Sequence, residues 1–188
     1  MSGGHAPTDG GNKSIALLIA VLALFLAFSE MLGKNAEKTS MQANIEANNL
    51  WAFFQAKTIR RSLAQNFVEL AEMDISTATD DARKTAVARQ VDNWKKLAQR
   101  METEPETSEG RRELMARAKA AETRRDLNNI KNEGFEIASA LLQVGIVVAS
   151  AMIITGVAML AYVAGGLGLL AVIIMSISQF APAILPFH

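Results

Sequence analysis

The chain has 188 residues, half of them apolar, and its 19 lysines and arginines cancel its 19 aspartates and glutamates, so net charge carries no argument. The average conceals a partition: no charged residue occurs from Ile137 to His188, whereas Lys34 to Glu136 holds every Lys and Arg but Lys13 and every acid but Asp9 and Glu30. An ordinary soluble globule does not set aside such a length without charge, and the absence of cysteine excludes disulfide frameworks, thiolate metal sites and cysteine nucleophiles.

Residues 1–14 read as a flexible tail. Ile15 to Leu32, IALLIAVLALFLAFSEML, is about eighteen residues, just long enough to cross a ~30 Å hydrocarbon layer as a helix, and residues 15–33 are taken as the first span. Ala27-Phe28-Ser29 has the small-x-small look of a signal-peptide cleavage site. Against that, the preceding tail has only Lys13 as a basic side chain and the apolar run continues to Leu32, so the segment reads as an uncleaved anchor. A second span is expected over 137–163 and a third over 167–185, joined at Ala164-Gly165-Gly166, the strong turn signal between them. So short an uncharged link implies a tight hairpin, because loose backbone in hydrocarbon leaves polar groups unpaired. Lys34 and Lys38 follow the first span, and Arg124, Arg125 and Lys131 precede the second. The positive-inside rule then places the domain 34–136 and the C-terminus in the cytoplasm and the N-terminus outside.

Between the spans, helix-forming residues dominate, with Pro105 the only proline and Gly110 and Gly134 the only glycines. A first apolar stripe runs Ile45, Ala52, Ala56, Ile59, Leu63, Phe67, Leu70, Met73, mostly in steps of three, four or seven. The segment from Ser76 to Asp81 interrupts it and supplies N-cap candidates. A second stripe follows as Val87, Val91, Trp94, Ala98, Met101, then a polar break from Thr103 to Gly110. A third helix starts near Arg111 with a narrower face at Leu114, Ala118 and Ala121 and runs into the second span. The first helix leaves the membrane and the last returns to it, so three helices cannot simply alternate in direction. Either the middle one lies across the top, or the first breaks near Asn48-Asn49. The expected fold class is therefore an all-α membrane protein, three transmembrane helices with a coiled-coil-like insert between the first and second. So thin a layer buries little surface alone, which predicts packing against further copies of itself.

Chemistry-bearing groups are sparse. His5 and His188 are expected on opposite sides of the bilayer, which disfavours a metal centre. No Gly-x-x-x-x-Gly-Lys-Ser/Thr phosphate loop occurs, and nucleophile sets lack reachable partners. Acidic groups such as Asp80-Asp81 and Glu102/Glu104/Glu106 read as caps or a solvated loop. Arg60-Arg61, Arg111-Arg112 and Arg124-Arg125 are interspersed with acids, unlike a nucleic-acid stripe. No enzyme activity and no cofactor are expected. Trp51, Phe53 and Phe54 point round more than one side of their helix and read as core or subunit contact, or as an interfacial belt. Trp94 joins them as an expected subunit contact. Gly145, Ala149 and Gly156 form a small-residue face for close helix packing, within or between chains. Glu30, the ionisable group inside a span, is read as an interfacial or subunit contact, the alternative being a ring of glutamates at a pore mouth.

Several segments together resemble a known family: Phe28 to Lys34 (FSEMLGK), Ala43 to Arg60 (ANIEANNLWAFFQAKTIR) and Ser108 to Leu114 (SEGRREL). They are similar to the bacterial membrane family known as domain of unknown function 4337, over nearly the whole chain. The resemblance implies a small bacterial inner-membrane protein with a helical insert, and it carries over no activity, substrate or catalytic residue. The expectation is a non-enzymatic, homo-oligomeric inner-membrane scaffold whose partners are its own copies and membrane lipids. The alternatives are a channel or transport component with Glu30 near the pore mouth, or an accessory subunit of another membrane complex.

Overall fold

A computed structural model describes residues 9–77 and 79–185; His5 and His188 lie outside them, as does most of the predicted tail. Four helices follow in chain order: α1 (Asp9–Thr77), α2 (Asp81–Glu102), α3 (Arg111–Thr155) and α4 (Met159–Phe180), with a short 3-10 turn at Pro182–Ile184. The first predicted span and the first apolar stripe are one 69-residue helix, and the third predicted helix and second span are one 45-residue helix. The chain divides into two compact units, one of residues up to Met41 with those from Arg125 onward, the other Gln42–Arg124.

In the first unit α1, α3 and α4 meet through Ile15 and Leu22, Ala138, Leu142 and Ala149, and Ala164 and Ala171. The facing residues are small, which lets helices approach closely and gain dispersion contacts. Gly134 and Gly168 are tight cases: a β-carbon at Gly134 would collide with the Ser178 hydroxyl, and one at Gly168 with the end of the Leu22 side chain. Ser29, fully buried, donates its hydroxyl to the Phe135 carbonyl at 2.9 Å, so this polar atom costs nothing in an apolar setting. Large side chains such as Leu17, Leu24, Val147, Ile154 and Leu169 point outward. Three helices, α1, α3 and α4, contain stretches long and apolar enough to cross a membrane.

The hairpin turn lies at residues 156–158 and corrects the expectation of Ala164–Gly166. Gly156 has φ +72, a left-handed conformation that favours glycine, and its N–H caps the Met152 carbonyl at 2.8 Å. Gly165 and Gly166 lie inside α4. The charge-free stretch from Ile137 to Thr155 already covers, at ~1.5 Å per residue, close to ~30 Å, and a glycine pair in apolar surroundings keeps its backbone bonded by staying helical.

In the second unit the direction puzzle has a third answer. α1 passes unbroken through Asn48-Asn49, and α2 and α3 both run antiparallel to it, one after the other. Contacts descend α1 in order: Glu72 with Lys95, Lys57 with Glu104, Trp51 with Glu122, Glu46 with Arg124. The loop from Thr103 to Gly110 therefore continues the chain in one direction instead of reversing it. α2 starts at Asp80, whose carboxylate accepts from the Ala82 N–H at 3.0 Å, as an N-cap residue should. Its hold on α1 is slight: among its buried residues are Val91 and Met101, and Trp94 stacks on Phe67 at 5.3 Å.

Candidate functional site

α1 carries two apolar faces in the second unit. The inner one, Ala47 and Leu50 with Trp51 and Phe54 beside them, packs on Leu114, Ala118 and Ala121 of α3. The outer one is the stripe read from the sequence. Ile45 is two residues from both Ala43 and Ala47, about 200° round the helix, and so falls on the far side from those buried alanines. Ile45, Ile59, Leu63, Leu70 and Met73 are between 51 and 69 % exposed. Toward α2 the stripe opens into a groove lined by Leu63, Phe67, Trp94, Leu97 and Met101, with Arg60 at its edge.

The aromatic residues expected at a subunit interface are mostly engaged within the chain. Trp51 and Phe54 meet edge to face at 5.3 Å, and the Trp51 indole N–H donates to Glu122 at 2.8 Å. The Arg111 guanidinium lies 4.8 Å from the Phe54 ring centre, a cation–π contact that fastens the start of α3 to α1. Phe53 is exposed and lines a separate groove with Ile45 and Leu114. Gly145 and Ala149 are buried in the first unit, where a β-carbon added at Gly145 would lie 3.5 Å from Leu22, while Gly156 forms the turn. Glu30 is exposed and lines a polar groove with Ser29, Lys34, Glu37, Asn132 and Glu136.

Glu102 and Glu104, expected in a solvated loop, are instead drawn into an ionic cluster. Glu102 accepts from Arg111 at 2.6 Å and Arg112 at 3.3 Å and forms an ion pair with Arg61 at 3.2 Å, and Glu104 accepts from Arg100 at 2.6 Å and the buried Lys57 at 3.0 Å. Arg111 also donates to the Thr58 hydroxyl at 2.9 Å. Burial pushes the Glu102 carboxyl up, but hydrogen bonds from Arg111 and Arg112 and the Arg111 and Arg61 charges outweigh it and hold it below the ordinary glutamate value. Hydrogen bonds from Arg100 and Lys57 hold Glu104 down in the same way. Charge-assisted hydrogen bonds from both sides make the cluster a clasp that fastens the junction of α2 and α3 to α1. The signal for it was the pairing of Arg60-Arg61 and Arg111-Arg112 with the alternate acids Glu102 and Glu104. Among the described residues no three His, Cys, Asp or Glu side chains come together to hold a metal ion.

The family model described as "Domain of unknown function (DUF4337)" matches residues 11–181. The chain belongs to this family. The match runs through both units and includes the aromatic block, the ionic clasp and the three long apolar helices. No curated protein and no solved structure matches the chain. DUF4337 membership thus supplies kinship without an assigned activity.

Proposed function

We propose that this DUF4337 protein is a membrane-anchored, homo-oligomeric assembly protein of the bacterial inner membrane, without chemistry of its own. The reading is carried by the uncovered outer face of α1, where Ile45, Ile59, Leu63, Leu70 and Met73 form one apolar line on a helix whose opposite side is already packed. Contiguous apolar patches on monomer surfaces mark interaction sites. Covering each large side chain contributes about 1.5–3 kcal/mol if its burial is complete. With Trp51 and Phe54 used inside the chain, the subunit contact passes to this line and to Phe53 beside it.

In this reading segments of α1, α3 and α4 cross the bilayer, and the basic residues Lys34, Lys38, Arg124, Arg125 and Lys131 keep residues 34–136 on the cytoplasmic side. Function is the array itself, a platform of laterally packed helices anchored at one membrane face. Native mass spectrometry of the full chain released from nanodiscs tests it. A mass of two or more chains is expected, and a single chain across the accessible concentration range would overturn it.

A further inference from the structure

We infer that the outer face of α1 docks a second copy of this chain in a parallel, in-register pair, each residue of the line meeting its own counterpart. The inference deepens the assembly reading and rests on it. Two copies anchored in one bilayer by the same segments present their α1 helices side by side and pointing the same way. Their symmetry axis then stands along the membrane normal, and residues at one height meet residues at the same height.

Self-meeting restricts what such a line can hold, because any charged residue would face a like charge. The line from Ile45 through Ala52, Ala56, Ile59 and Leu63 to Leu70 contains no charged residue, and the nearest charge, the exposed Arg60 three residues before Leu63, stands at its α2 edge, where its guanidinium reaches water. Asn48, three residues from Ile45 and so on the same side, is the polar residue that tolerates this arrangement. An asparagine that meets its counterpart pairs amide to amide and selects parallel orientation and register.

The dimensions suffice. From Ile45 to Met73 the line is about 42 Å long at ~1.5 Å per residue and ~10 Å wide, and the neighbouring Leu97 edge of α2 widens one half of it. The footprint is about 600 Å² per copy, the low end of what a specific pair buries, and confinement to a membrane raises the effective concentration of copies.

A charge-swap experiment on the full chain in nanodiscs or native membranes tests register directly. Leu63 is half exposed, so Leu63→Glu and Leu63→Lys leave each folded chain intact. Each variant alone is expected to pair at least about tenfold more weakly, and their co-expression to restore pairing, because the glutamate then meets the lysine. The chain has no cysteine, so Ile59→Cys introduces one thiol, which oxidation should link to its counterpart, whereas Glu69→Cys off the line should not link. Assembly that survives Leu63→Glu, or fails to recover on mixing, overturns the in-register pair while leaving oligomerisation standing. A wild-type chain that is monomeric overturns both, including when a different membrane protein is found to cover the line.

Discussion

Two leucines of the second unit separate folding from association. Leu114 is 1 % exposed and sits among Ala47, Leu50, Ala118 and Ala121, whereas Leu63 is 51 % exposed on the outer face of α1. Leu114→Ala removes a fully buried side chain and leaves a cavity lined by alanines too short to close it. The expected cost is about 3 kcal/mol, within the range for buried leucines. At a slope of about 1.5 kcal/mol per molar urea the unfolding midpoint falls by about 2 M. Leu63→Ala costs the isolated chain about 0.5 kcal/mol or less, since the side chain is already half in water. The assay is urea unfolding of the full chain in detergent at a dilution that favours single chains. Fluorescence of Trp51 reports the core, with Trp94→Phe as common background. The same two variants are then compared for oligomer mass in nanodiscs, where Leu63→Ala is expected to have the larger effect. Equal midpoint shifts for the two variants in the dissociated chain would refute the assignment of inner and outer faces.

Other perturbations address the clasp and the helix contacts. Glu102 and Glu104 are held below the ordinary value of 4.5, so their stabilisation is present above that value and lost as pH falls through the lower folded values. Thermal melts from pH 7 to pH 3 should therefore decline only below about 4.5, and Glu104→Gln should melt lower at pH 7 with a weaker acid dependence. Gly168→Val drives a side chain into Leu22 and is expected to cost about 1–3 kcal/mol, with partial recovery on adding Leu22→Ala, read from melting in detergent. Gly156→Ala forces alanine into a left-handed conformation and should lower stability by about 1 kcal/mol. Gly166→Ala, in open space within α4, should raise it by up to about 1 kcal/mol in the same melts, and the reverse pattern would relocate the turn.

By itself the sequence determined what depends on local chemistry. The charge-free tail and the apolar run after Lys13 sufficed for three candidate spans, because span length and hydropathy are properties of a segment. The helical character of the middle, the cap at Asp80 and the break from Thr103 to Gly110 were legible for the same reason. The family resemblance was readable in the aromatic block from Ala43 to Arg60.

Only the tertiary structure decided which of two apolar faces of α1 turns inward. Periodicity marks both, and the longer stripe through Ile59 and Leu63 is the more conspicuous. The packed face is the one where the small side chain of Ala47 lets α3 approach closely, and Ile45 and Ile59 lie exposed on the other. The direction of α2 and α3 also lay beyond the pattern, since a polar loop carries no sign of whether it reverses the chain or continues it. The turn at Gly156 instead of Gly165–Gly166 followed from where α3 had already run its length and from a positive φ that periodicity does not express. The clasp at Glu102 and Glu104 emerged because Lys57, Arg61 and Arg111 are distant in sequence and become neighbours only when α1 and α3 pack. Local patterns specify elements, whereas the choice among their faces is made by the shape of the surface each one meets.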